Sequence, residues 1–156
     1  MKGVPVLLIG LFLAISADTI PPLQASEFCQ ASGLTIADGT QIKQPNCVSL
    51  EIGEIPSVDN MVSAVIVNPK NAQTIRKGVP FTVEVKVANL ATGFFTDPEF
   101  DYYQIQQTLD DNGTIQGHSH VVIQRLNGSN VPDPRVFAFF KGLNDAAVNG
   151  VLSVTV

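Results

Sequence analysis

The chain reads as an all-β protein: an immunoglobulin-like antiparallel β-sandwich preceded by an irregular N-terminal segment that a disulfide pins. Three observations predict this. No stretch sustains a long 3.6-residue apolar period. Short β-branched or alternating runs are instead separated by Gly, Pro and Asn turn chemistry. The only two cysteines, Cys29 and Cys47, fall in the part of the chain with least hydrophobic pattern of its own.

Taken in order, the first element is a leader. Met1-Lys2 is a basic start, Val4 to Ile15 is an apolar run broken only by Gly10, and Ser16-Ala17 supplies small residues before Asp18. That layout predicts a secretory signal peptide over residues 1–17. The run is short for a bilayer, which takes about 20 apolar residues, and Pro21-Pro22 follow at once. Cleavage leaves roughly 139 residues, enough for one domain. Residues 18–55 form the irregular segment, and in an oxidising compartment Cys29 and Cys47 are expected to pair. The bridge would close a loop of about 18 residues, worth on the order of 3 kcal/mol in the loop-entropy account.

The β-sandwich domain is expected over 56–156. Met61 to Val67 is a β-branched apolar run that ends at Asn68-Pro69. Phe81 to Val87 alternates, with Phe81, Val83, Val85 and Val87 on one face against Thr82, Glu84 and Lys86 on the other. A loop with Phe94-Phe95 leads to an expected strand from Tyr102 to Leu109. Asp110-Asp111-Asn112-Gly113 then reads as the tight turn of a hairpin whose second strand is Thr114 to Leu126. Val136 to Phe140 is apolar throughout and expected to be central, Asp145 to Ala147 a short helical turn. In the last strand, Val151 to Val156, the side chains of Leu152, Val154 and Val156 align.

Charge narrows the partners. Nine Lys and Arg stand against 14 Asp and Glu, with no basic cluster, which argues against nucleic acid and, after leader removal, against a membrane surface. Asn112-Gly113-Thr114 and Asn127-Gly128-Ser129 are acceptor sequons, so Asn112 and Asn127 are candidate glycosylation sites. The absence of tryptophan weakens a sugar-stacking platform, although Tyr102-Tyr103 can stack.

His118 and His120 are the only histidines. Two residues apart on a strand, they share a face at about 6.5–7 Å along the backbone. They lie on the more polar face, opposite Ile115, Val121 and Ile123. They are candidate metal ligands for copper or zinc, but such a site needs three or four ligands. Asp97, Glu99, Asp101, Asp110 and Asp111 are the carboxylates available to complete it. The alternative is a hydrated, structural or pH-sensitive pair. Ser119 points to the opposite face and forms no dyad with either histidine. The chain carries no Gly-x-Ser-x-Gly elbow and no phosphate-binding glycine loop. Acidic pairs such as Asp97 and Glu99 have the chemistry of a glycosidase, yet nothing in the pattern sets them across a cleft.

Three stretches carry a family resemblance: Ile55-Pro56-Ser57-Val58-Asp59-Asn60-Met61, Gly117-His118-Ser119-His120-Val121-Val122-Ile123, and Phe137-Ala138-Phe139-Phe140-Lys141-Gly142-Leu143-Asn144. Together they resemble a family of small secreted fungal proteins often mislabelled as ribosomal protein S17-like. The resemblance runs from about Cys29 onward. It implies an extracellular β-rich protein with no established activity. Members continue past the last strand with a further histidine-containing segment, so the resemblance also implies a 56–156 domain truncated at its C-terminus. A ribosomal role is at odds with the leader and the acidic balance. The expected function is therefore that of a secreted, non-enzymatic interaction protein of cell wall, matrix or host surface. Its partner would be a cell-wall polysaccharide or an extracellular protein, and no cofactor is expected. The alternative is a copper- or zinc-binding protein or enzyme built on His118 and His120.

Overall fold

A computed structural model describes residues 25–156 apart from Ser129. The leader expected over 1–17 and Ser129, the last residue of the second sequon, lie outside the described residues. Among the described residues strands dominate, with one short α-helix and one 3-10 turn (Val58–Asn60).

The N-terminal segment carries more structure than its composition predicts. Helix α1 (Glu27–Ser32) starts where the Ser26 hydroxyl accepts a hydrogen bond from the Cys29 amide, and ends at Gly33, whose φ of 68° a side chain would resist. Six residues are too few for a helical period to show in sequence. Two short strands, β1 (Thr35–Ile36) and β2 (Asn46–Cys47), then pair in parallel. The expected Cys29–Cys47 disulfide is formed and ties the helix to β2.

The core is built by alternation. Strand β3 (Ser63–Asn68) pairs antiparallel with β4 (Thr82–Ala88), which pairs antiparallel with β9 (Val151–Thr155). Val83 and Val85 on β4 are buried, as is Leu152, the cross-strand partner of Val85. Val121 and Leu143 complete the cluster from β7 (Ser119–Ile123) and β8 (Phe139–Leu143), an antiparallel ribbon. Phe81, Val87, Ile123, Phe139 and Val154 pack around them. Each of these strands turns one face to the cluster, and period-2 alternation does this wherever a single face is buried. Strand β3 differs: Ile66 shares a face with Val85 yet stays 56% exposed, and Val65 and Val67 on the other face are exposed too.

The expected hairpin is corrected. The turn forms, with the Gly113 amide bonded to the Asp110 carbonyl at 2.9 Å and a bridge between Leu109 and Ile115. Residues 102–107 do not form its first strand. Asp97 and Asp101 start successive turns there, and Tyr103 adopts a φ of 56° that no strand allows. Its second strand is split into β6 (Ile115–Gly117) and β7 with a break at His118. Strand β6 pairs in parallel with β5 (Leu90–Thr92), where an antiparallel arrangement was expected. The strand expected at Val136 to Phe140 begins only at Phe139, with Val136 and Phe137 exposed, and Asp145 to Ala147 is a bend without a helical turn.

Asp110 ties the turn electrostatically. Its carboxylate accepts from the amides of Thr114 (2.8 Å) and Asn112 (2.9 Å). Those bonds, Thr114 first, hold its carboxyl below the ordinary range. A depressed folded pKa adds stability that is fully present above the unfolded value, about 4, and lost as pH falls through the lower folded value. Urea midpoints measured from pH 5 to pH 2.5 should therefore drop less in Asp110→Asn than in the parent. Parallel curves would show that the turn adds nothing to acid sensitivity.

Candidate functional site

The outward face of the β7–β8 ribbon carries the sequence-predicted site. Cross-strand pairing puts His120 opposite Gly142 and Val122 opposite Phe140, all on the face away from the core. This face floors a groove of about 1000 Å3. Phe94, Phe95, Tyr102 and Tyr103 wall it, and Gln106, Gln107, Gln116 and Asn144 contribute neutral amides. Asp101 is the one carboxylate among the described lining residues, and no Lys or Arg is among them. Phe94, Phe95, Tyr102 and Tyr103 thus line one groove together with both histidines.

The histidines lie closer than a regular strand allows. The break in the ladder at His118 lets the rings converge, so that their Nε2 atoms stand 3.0 Å apart. His118 Nδ1 is 3.3 Å from the Phe94 carbonyl. A carbonyl only accepts, so Nδ1 carries the proton and Nε2 of neutral His118 holds a lone pair, which accepts from His120 Nε2–H. Phe95 meets the His118 ring edge-on at 5.0 Å between centroids, and Phe140 meets His120 at 5.1 Å. Partial burial, and after it the charge His118 can carry, hold the His120 imidazole below its ordinary range. Across the groove, Tyr102 and Tyr103 pack at 4.5 Å, and the Tyr103 hydroxyl, then burial, pushes the Tyr102 phenol up.

Asn144 escaped the sequence reading. Its Oδ1 is buried with no hydrogen-bond partner. It lies 2.7 Å from where a Cβ on Gly142 would sit, so glycine at 142 makes room for the amide beside His120. Its one trace in the sequence is the stretch from Phe137 to Asn144, which carries the family resemblance and no site expectation. The carboxylates expected to complete a metal set do not join the histidines. Among the described residues no group of three or more His, Cys, Asp or Glu side chains is placed to hold an ion. Asp110 belongs to its turn, and Asp97 caps the Glu99 amide at 2.8 Å. Asn112 and Asn127 both lie at exposed positions, Asn112 in the Asp110 turn and Asn127 in the loop after β7.

The N-terminal segment reaches the groove wall. The Tyr102 amide donates to the Gly39 carbonyl (2.9 Å), Gln104 Nε2 to Ala37 and Gln41 Nε2 to Pro98. The approach is close enough that a Cβ at Gly39 would fall 1.9 Å from the Phe100 carbonyl oxygen.

Fold and site together define a β-rich, disulfide-tied domain with an aromatic, amide-lined groove around a histidine pair. Residues 64–156 match the family model described as the CLU5d N-terminal domain, and the chain belongs to that fungal family. Over 123 residues it is 41% identical to Pathogenicity cluster 5 protein d of Colletotrichum graminicola, covering 76% of this chain and 25% of that protein. The chain therefore spans about a quarter of the length of the curated relative it matches. No solved structure matches.

Proposed function

We propose that this is a secreted fungal protein that acts without catalysis of its own, as an interaction domain at the cell wall, the extracellular matrix or a host surface. The observation that carries the reading is the groove: five aromatic rings, Phe94, Phe95, Tyr102, Tyr103 and Phe140, set among neutral amides with no Lys or Arg among the described lining residues. Aromatic faces take the apolar faces of sugar rings, and amides bond their hydroxyls in either direction. A neutral cell-wall polysaccharide suits that lining better than an anionic partner does. The leader pattern at residues 1–17, the sequons at Asn112 and Asn127 and the Cys29–Cys47 bridge support an oxidising, extracellular address. The packing of β7–β8 against the three-stranded sheet supports the sandwich-like layering expected of the domain.

The test is retention of the protein by insoluble β-glucan and chitin, followed by titration with their soluble oligomers. Tyr102→Ala and Phe95→Ala, with far-UV circular dichroism unchanged, should each weaken binding about tenfold or more, since truncating an aromatic anchor costs about 2 kcal/mol. Chelator should leave binding intact. Retention by neither polysaccharide, or binding indifferent to both substitutions, would remove the groove as the contact surface.

A further inference from the structure

We propose that His118 and His120 chelate a single transition-metal dication of the Cu(II) class at the floor of the groove. Two imidazole nitrogens 3.0 Å apart stand at a chelating separation, and a small turn of each ring aims both at one ion. With metal–nitrogen bonds of about 2.0–2.1 Å, that separation subtends about 95° at the ion, nearer the tetragonal angle of Cu(II) than the tetrahedral angle of Zn(II).

The surroundings support a ligand role for the pair. Metal-bound imidazoles commonly donate their second N–H to a carbonyl, and the Phe94 carbonyl already accepts from His118 Nδ1 at 3.3 Å. That bond leaves the His118 Nε2 lone pair facing inward. In the metal-free protein it accepts the His120 Nε2 proton. On binding, His120 moves its one proton to Nδ1, so two lone pairs meet the ion and the charge of the pair is unchanged. Phe95 and Phe140 brace the two rings edge-on and hold the bite. The unpartnered Asn144 Oδ1 lies over Gly142, directly across the ladder from His120 at a cross-strand spacing of about 5 Å. It offers an oxygen donor for a third position, and the open groove leaves the remaining positions to water.

The chain, produced without a histidine tag, is titrated with Cu(II) and with Zn(II) by calorimetry. The copper complex is then examined by electron paramagnetic resonance. One equivalent of Cu(II), held more tightly than Zn(II) and showing hyperfine coupling to two nitrogens, is expected. His118→Gln and His120→Gln, each keeping the parent circular dichroism, should weaken copper at least tenfold and remove one coupled nitrogen. Copper binding that is absent, that neither substitution weakens, or that is weaker than zinc binding overturns the assignment.

Discussion

Leu152→Ala is expected to destabilise the protein by about 2–5 kcal/mol, the cost of opening a leucine-sized cavity in a packed core. Leu152 is 3% exposed and touches the cluster of Val83, Val85, Val121 and Leu143. Outside the disulfide cysteines, those five are the buried apolar side chains among the described residues. Against a typical total of about 5–15 kcal/mol, the loss is a large share of the whole. In urea the midpoint should fall while the slope of the transition stays as in the parent. Ile66→Ala is the control. Its side chain lies on the same sheet face but is more than half exposed, so its substitution should stay within about 0.5 kcal/mol. Equal losses at the two positions would mean that the face of β3 is covered in solution. The core also positions the site, because Val121 and Leu143 lie on the inner face of the ribbon whose outer face carries His120 and Phe140. Leu152→Ala should therefore weaken groove binding as well, without touching a groove residue.

What could be read from the sequence follows from which interactions are local. The inward faces of β4, β7 and β9 were legible at Val83 and Val85, at Val121 and at Leu152, because alternation is a property of neighbouring residues. So was the Asp110 turn, whose Asn112-Gly113 pair encodes the required backbone. The Tyr102–Leu109 segment misled for the same reason. Tyr103, Ile105 and Leu109 mimic alternation, but Asp97 and Asp101 coil the backbone locally and Ile105 is left exposed. Met61 to Val67 was correctly a strand by its β-branched content, yet composition could not say that Val65 and Ile66 stay exposed. The site was half legible. The shared face of His118 and His120 follows from strand period, whereas their contact at 3.0 Å depends on a break in the ladder that periodicity does not encode. The Phe94 carbonyl is 24 residues from His118 in the chain. Asn144 lies on the partner strand's exit, and only a defined register brings it beside His120.

Loss of the disulfide is expected to act on the site through the fold. Cys29→Ser with Cys47→Ser frees a loop spanning 18 residues of sequence, which in the loop-entropy account costs about 3 kcal/mol. For a domain of this size that is a fall of about 10 °C in the melting midpoint. The loss should not be spread evenly. Helix α1 is six residues long and β1 and β2 two each, too little structure to persist once untied. What holds their loop to the rest is backbone and amide hydrogen bonding at Gly39, Ala37 and Gln41 to residues 98–104, each bond worth about 1 kcal/mol net. Releasing that loop removes Gln41 from the groove and unbraces Tyr102, whose amide bonds to the Gly39 carbonyl. Hydrogen exchange should accordingly speed up most at Tyr102 and across residues 27–47, with a smaller rise at the amides of β4 and β9 that follows the global loss, and polysaccharide binding should weaken with it. Uniform loss of protection would show that the bridge stabilises the whole chain through its unfolded state alone. An unchanged melting midpoint would show that the segment contributes nothing to the fold, and the aromatic wall would then owe its position entirely to the loop that carries it.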